Sequence, residues 1–264
     1  MASPEVSLTV RSGRVRHARR LAARAFRAKT GEFLAEGPQA VREAVAAGVV
    51  IEAFATAGAT ERYADIAASA PDWQVVDEEV VSEIADAVAP QGMVARCRSV
   101  LRPLTGADLA GARLVVVCAD IRDPGNAGAV IRCADAAGAD AVILAGDCVD
   151  PLGPKVVRST AGSLFHLPIL LERDLEAVLS AVREAGLRIL AADGGGDAGL
   201  FDADLDLAAP TAWLMGNEAW GLPAERRALA DRVVSIPIYG RAESLNLATA
   251  AAVCLYATAR AQRP

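Results

Sequence analysis

Leu114-Val-Val-Val-Cys118 is a continuous apolar run, and the chain on either side of it decides the fold. A run without alternation fits a strand buried on both faces, as in parallel sheets covered by helices. Asp120-Ile-Arg-Asp-Pro-Gly-Asn126 then reads as a turn. Ala127–Ala137 reads as a helix, with Gly138 just past its end. Downstream the alternation repeats. Ala141–Leu144 is a strand, and a long loop from Ala145 to Pro154 leads to a short helix near Lys155–Thr160. Phe165–Leu171, a helix over Leu175–Ala185 stopped by Gly186, and the strand Arg188–Ala192 follow. After Gly194-Gly-Gly196 come the strand Thr211–Met215, a helix beyond Pro223, the strand Arg232–Ile236 and a closing helix. Alternating strands and helices predict an α/β fold, a parallel sheet with helices on both faces.

Upstream, Arg102–Gly111 carries Pro103 and Gly106 and reads as a linker. Before it lies a second, smaller α/β mixture. Residues 1–10 read as a loose end and Arg14–Lys29 as helix. Phe33–Ala35 is a short apolar run, and Pro38 opens a helix that Gly48 stops. Val49–Thr56, Trp73–Val76 and Val94–Ser99 read as strands, Arg62–Ser69 and Glu78–Ala87 as helices. The expected organisation is a domain over 1–101, a linker over 102–111 and a second domain over 112–264.

Composition narrows the function. A hydrophobic content of 53% supplies a sizeable core and excludes a disordered chain. No apolar run reaches a membrane span, and no basic-then-apolar start marks a secretory leader, so a cytoplasmic protein is expected. The five cysteines are scattered and never spaced Cys-x-x-Cys, which reads as reduced thiols packed as small hydrophobes. With two histidines, His17 and His166, a His-based metal site is not expected. A net charge of −6 argues against non-specific nucleic-acid binding by the whole surface. Yet Arg11, Arg14, Arg16, Arg19, Arg20, Arg24, Arg27 and Lys29 put eight cations into nineteen residues with no acid among them. Such a run is either a solvated helix face or a phosphate-contacting element.

Three stretches carry candidate chemistry. In Ile236-Pro-Ile…Ser244-Leu-Asn246, a polar loop with Arg241, Glu243, Ser244 and Asn246 precedes a helix. Ser244 stands where an N-cap belongs. From Leu245 to Ala259 there is no Gly, Pro or charge, so this helix is expected to be buried on every side. The pattern fits a site on a rigid support, and equally a well-capped core helix. In the second stretch, Asn126 lies at a helix start, and Arg132 follows among small and apolar residues. A lone Arg in that setting calls for an anionic partner, and a phosphate suits the planar guanidinium. In the third, Met215-Gly-Asn-Glu-Ala-Trp-Gly-Leu-Pro223 leaves a strand, turns on Gly216 and Gly221, and holds Glu218 at the carboxyl edge of the sheet. Gly194-Gly-Gly196 lacks the Gly-x-Gly-x-x-Gly spacing and a convincing helix after it, so a dinucleotide site is discounted.

Taken in order, Asn126–Arg132, Gly216–Leu222 and Ile236–Asn246 resemble the SpoU/TrmH branch of the SPOUT RNA methyltransferases. The likeness covers about residues 112–261, and Arg158–Pro168 is similar to the segment between the first two motifs. The N-terminal part, with Phe33–Pro38 and Pro90-Gln-Gly92, is similar to the family's ribosomal-protein-like substrate-binding domain. The resemblance implies transfer of a methyl group from S-adenosylmethionine to a ribose 2′-hydroxyl in RNA, without a metal. It favours 23S ribosomal RNA over transfer RNA. It also implies a deep trefoil knot, which strand and helix patterns alone do not predict because knots are rare. Two subunits are implied to pair through the knotted domain.

Position by position, the resemblance implies functional roles for Arg132, Asn126, Glu218, Ser244 and Asn246. It implies cofactor contacts from Ala191, Ala192, Asp193, Met215, Gly216, Asn217, Gly221, Ile236, Ile238, Ser244 and Leu245. Arg14, Arg16, Arg19, Arg20, Arg24, Arg27 and Lys29 become candidate RNA contacts. Ala219 departs from the family's usual Gly, which narrows the loop without removing a reacting group; Ala248-Thr249 replaces a more familiar small pair. Rival readings are an RNA-binding or ribosome-assembly factor without catalysis, and a nicotinamide enzyme resting on the triple glycine alone.

Overall fold

The continuous apolar runs become the strands of an eight-stranded sheet in a computed structural model that describes residues 8–263. In chain order, α1 (Gly13–Arg20), α2 (Arg24–Thr30), β1 (Glu32–Glu36), α3 (Pro38–Ala46) and β2 (Val50–Ala55) come first. Next are α4 (Ala57–Arg62), α5 (Ala64–Ser69), β3 (Trp73–Val75), α6 (Glu78–Ile84) and β4 (Met93–Arg98). The chain continues through β5 (Leu101–Pro103), β6 (Leu114–Ala119), α7 (Pro124–Ala137), β7 (Ala141–Ala145), α8 (Pro154–Ser159) and β8 (Ile169–Glu172). It ends with α9 (Leu175–Glu184), β9 (Arg188–Ala192), β10 (Ala198–Gly199), β11 (Thr211–Met215), α10 (Ala224–Arg227), β12 (Arg232–Ser235) and α11 (Leu247–Gln262). The loose end expected over 1–10 falls, for residues 1–7, outside the described residues.

Contacts group the chain into two units, one running to Val100 and including Asp150–Phe165, the other Leu101–Val149 with His166 onward. In the first unit β1-β4-β2-β3 form a mixed sheet. β4 is antiparallel to both β1 and β2, and β2 is parallel to β3. Val15, Ala18, Leu21, Phe54, Val80 and Ile84 pack as its core. The segment 150–165 is seated there by chemistry as well as burial. Arg158 donates to Glu36 (3.0 Å) and Asp86 (2.9 Å), and Phe165 stacks on Phe33 at 6.0 Å.

In the second unit the order is β10-β12-β9-β11-β6-β7-β8-β5, and every pairing is parallel. Alternate residues serve the two faces. Val115, Val117, Ile143 and Ile189 join Val178 and Val182 of α9 in one core. On the other face Trp213, fully buried, donates its indole N–H to Thr258 of α11 at 2.9 Å. α11 runs alongside α7. Asn246 meets Asn126 at their N-termini, and at the far end Arg263 donates to the last carbonyls of α7, Ala137 (3.2 Å) and Gly138 (2.7 Å). A cation there suits the negative pole of the helix.

Several boundaries differ from the sequence expectation. The linker contains β5, which adds to the sheet edge beside β8. The helix expected over 62–69 is α5, and an unexpected α4 precedes it, the two parted at Tyr63. α7 starts earlier, with Pro124 in its first turn and Asp123 as N-cap accepting from Asn126 N–H at 2.8 Å. α11 starts later than expected. Asn246, not Ser244, is its N-cap, accepting from Ala248 and Thr249 N–H at 2.9 and 3.4 Å. Nor is α11 buried all round: Ala248, Ala251, Cys254, Leu255 and Thr258 face inward, while Tyr256 is 54% exposed. The cysteines are free thiols, and burial pushes Cys97 and Cys254 up to about 12 and Cys148 to about 11.

The basic segment is divided in its roles. Arg27 is buried; its Nε and Nη2 donate to Asp150 (2.9 and 2.7 Å) and its Nη1 to the carbonyls of Leu21 and Ala22. Arg27 is therefore not placed to meet RNA, because its guanidinium is already spent. Arg14 is tied to Glu52, itself 1% exposed, and to Asp72. Arg19 pairs with Glu83, and Arg20 lies over the Phe26 ring at 4.0 Å. Removing one partner of a buried pair strands the other charge. Arg27→Met is expected to lower the unfolding free energy by about 3 kcal/mol, read from urea denaturation. An unchanged midpoint would mean that Asp150 finds water instead.

Candidate active site

Parallel pairing of β12, β9 and β11 brings their carboxyl ends, and the loops beyond them, to one edge. That edge is where open α/β sheets place ligands. A cavity of about 480 Å³ opens there. Its walls are Ala192, Asp193 and Gly194 after β9, Gly216–Ala219 and Gly221 after β11, and Val234, Ile236 and Ile238 around β12. Asn126 of α7, Glu243–Leu247 and Ala250 of α11 close it. The volume lies in the range of small-ligand sites.

The loop after β11 is folded back on itself. Asn217 and Gly221 exchange backbone hydrogen bonds at 3.0 and 2.9 Å, and Ala219 N–H donates to the Asn217 side chain at 2.8 Å. Asn217 also donates its amide to the Asp120 carbonyl at 2.7 Å. Glu218 accepts the backbone N–H groups of Arg122 (3.2 Å) and Asp123 (3.1 Å), so its carboxylate brackets the approach to α7. Asn246 donates to Asn126 Oδ1 at 2.9 Å, and Asn126 Nδ2 lies 3.5 Å from Glu218. All three motifs thus meet in one polar chain.

Asp120, at φ +54°, anchors the same region. Burial acts to raise its carboxyl, but the Asp147 N–H and the Arg226 guanidinium outweigh it and hold it below the usual carboxylate range. Asp193 accepts from Gly195 N–H and from Arg227, both at 2.9 Å. By contrast, among the described residues no hydrogen bond engages residues 237–245. Of these, Ile238, Glu243, Ser244 and Leu245 line the cavity, where their backbone groups can meet a ligand.

Most residues named from the sequence converge here: Asn126, Glu218, Ser244, Asn246, Ala192, Asp193, Gly216, Asn217, Gly221, Ile236, Ile238 and Leu245. Ala191 and Met215 do not line it; their side chains are in the core, and the next residue along each strand forms the wall. Arg132 does not line it either. It lies about 9 Å along α7 from Asn126 and its side chain is exposed. The cost of burying a lone charge therefore does not arise. Gly194, Val234, Leu247 and Ala250 line the cavity without having been expected to, and Glu243, named only as part of the polar loop, lines it too. For Gly194 the signal was the triple glycine, whose position after a strand mattered more than its spacing.

These features define a class: a parallel α/β domain with a small-ligand cavity at its strand ends, built from asparagines, a carboxylate and free backbone. Residues 113–256 match the model of the SpoU rRNA Methylase family, and residues 13–95 match an MRM3-like substrate binding domain. The chain belongs to the SpoU rRNA methylase family. It is 30% identical over 251 residues to the 23S rRNA (guanosine(2553)-2′-O)-methyltransferase RlmP of Bacillus subtilis (strain 168), covering 94% of this chain and 96% of that one. An AdoMet-bound rRNA methyltransferase from Sinorhizobium meliloti superposes with a TM-score of 0.82 at 33% identity, covering 97% of each chain. The SpoU methyltransferase AviRb from Streptomyces viridochromogenes, solved with AdoMet, gives 0.81 at 32% identity, over 95% of this chain and 98% of that one.

Proposed function

We propose that this chain transfers a methyl group from S-adenosylmethionine to a ribose 2′-hydroxyl of 23S ribosomal RNA, as a cytoplasmic homodimer. The observation that carries the reading is the cavity at three parallel strand ends, walled by a hydrogen-bond-free segment, 237–245. Its fit to the cofactor rests on that wall and on Gly216, which has no room for a side chain: a Cβ there would sit 2.5 Å from Gly221 backbone. The similar proteins described above, two of them solved with AdoMet, support the same cofactor.

Ala192, Gly194, Gly216, Ile236, Ile238 and Leu245 would hold S-adenosylmethionine. When bound, it supplies an electrophilic methyl group on a sulfonium. What the protein must add is in-line placement of the ribose hydroxyl and a fate for its proton. Asn126 and Asn246 present amides beside the cavity, and Glu218 fixes the α7 approach rather than reacting. Arg132 is the cationic group of the reading. The exposed strip of α7 holds Arg132 and Ala136, with half-buried Ala129 and Cys133 beside them, and α11 adds Tyr256 and half-buried Val253. A small, apolar strip of this kind suits a second copy, so the partner subunit's Arg132 would complete each cavity. The trefoil threading belongs to the same reading. Residues 236–246 leave β12, and α11 then packs across β9, β11 and β6.

The test is tritiated-methyl transfer to 23S rRNA followed by mapping of the 2′-O-methyl nucleotide. Cofactor binding with no transfer to ribosomal or transfer RNA would instead indicate a binding factor. For RNA contact, Arg16, Arg24 and Lys29 remain exposed, with Arg20 also at the surface. Changing these four to Glu is expected to raise the RNA Kd about a hundredfold while leaving S-adenosylmethionine affinity unchanged. Equal loss of both would indicate misfolding.

A further inference from the structure

We propose that Trp220, backed by Arg122, is a stacking platform for an unpaired nucleobase of the RNA beside the methylated ribose. The inference rests on the methyltransferase reading and adds a substrate contact to it. Three tryptophans are present. Trp213 is fully buried, and Trp73 is partly buried with its indole N–H on Thr60 at 3.0 Å. Trp220 is 53% exposed. Its loop is pinned: Asn217 and Gly221 close the turn with two backbone hydrogen bonds, and Glu218 ties that turn to residues 122 and 123. Both neighbours of Trp220, Ala219 and Gly221, line the cavity, so the residue is carried on the loop at its rim.

Arg122 Cζ lies 5.5 Å from the centre of the Trp220 ring. Arg122 is in turn held by Asp147 at 2.9 Å and, through its backbone N–H, by Glu218. A ring and a guanidinium held together at a cavity rim match what unpaired RNA bases use, since bases stack on aromatic and Arg planes. The one side chain recorded over the ring is a cation, Arg122, itself paired with Asp147. An apolar protein surface would want a wider apolar patch around the indole. A base needs only the ring face and a polar margin.

The experiment compares wild type, Trp220→Ala and Trp220→Phe in three measurements: steady-state methylation of 23S rRNA, S-adenosylmethionine titration, and RNA titration followed by tryptophan fluorescence. Trp220→Ala is expected to raise the KM for RNA about tenfold, with unchanged cofactor affinity and an unchanged elution volume. Trp220→Phe is expected to restore the KM, because a phenyl ring still stacks. Wild-type fluorescence is expected to quench on RNA binding and that quench to vanish in Trp220→Phe, since the two remaining indoles are sheltered. An unchanged KM in Trp220→Ala, with wild-type methylation intact, would overturn the platform and leave the enzyme reading standing. Loss of cofactor affinity or of the dimer in Trp220→Ala would also overturn it, assigning the indole to the cofactor or to the second copy. Absence of methylation in wild type would remove the enzyme reading and the platform together.

Discussion

Arg132→Ala is expected to bind S-adenosylmethionine with wild-type affinity and to lose about 10²–10³-fold in kcat. Within its own subunit the side chain is exposed and outside the cavity, so truncation removes no packing from that subunit's core. An Arg guanidinium is protonated at any ordinary pH, which makes it a poor standing base. Its natural role is to stabilise the alkoxide that develops as the ribose hydroxyl gives up its proton. If so, Arg132→Lys keeps part of the rate. A transient-base role predicts instead that the Arg132→Lys rate climbs with pH as the amine deprotonates, because Lys gives up its proton more readily than Arg. The proposed partner-to-partner geometry has its own test. Arg132→Ala, coexpressed with a cavity-blocked variant, gives mixed dimers with one complete site. Activity is then expected to return to about a quarter of wild type, since half the dimers are mixed and each has one working site of two. No recovery would place Arg132 in the service of its own cavity. Normal turnover by Arg132→Ala alone would sink the mechanism in either form.

The parts of the fold legible in the sequence were those that local physics decides. Leu114–Cys118 has no polar residue to turn outward, so it had to be a strand covered twice, and β6 is buried throughout. Gly138 and Gly186 ended helices because only a positive φ allows the chain to turn there, and both adopt it. What was not legible depended on distant partners. Ser244 and Asn246 are both good caps two residues apart. Asn246 wins because its side chain bridges two N–H groups of α11 and still reaches Asn126, 120 residues away. The cations from Arg11 to Lys29 look alike in composition. Only the break between α1 and α2 turns Arg27 inward to Asp150, a residue more than a hundred positions later. Likewise nothing local marks 150–165 as part of the first unit, because its partners Glu36 and Asp86 are remote. The site followed the same division. Its residues could be named from motifs, but Glu218's bond to residues 122 and 123 required the fold.

Gly216→Ala is expected to cut methyl transfer about a hundredfold and to weaken S-adenosylmethionine binding, with little change in melting temperature. The reason is the path of the backbone. Gly216 leaves β11 just as the chain doubles back, and the turn closes with Gly221 directly against it. A methyl group at Gly216 would lie 2.5 Å from the Gly221 carbonyl carbon, 2.6 Å from its oxygen and 2.8 Å from Leu222 N. No flexible side chain is among these atoms, so the turn itself must open, by about 1 Å to restore ordinary contact. Met215, one residue earlier, is in the core and holds the strand in place, so the displacement goes into the loop. Opening the loop lengthens the Asn217–Gly221 pair and moves Glu218, and with it the N–H groups of Arg122 and Asp123 that set the start of α7. Asn126 moves with that start, and misplacement of this size costs far more in turnover than in folding. Calorimetric binding of S-adenosylmethionine, kcat and a thermal melt separate the effects. Wild-type binding and turnover in the Ala variant would mean that the cofactor does not lie against this loop.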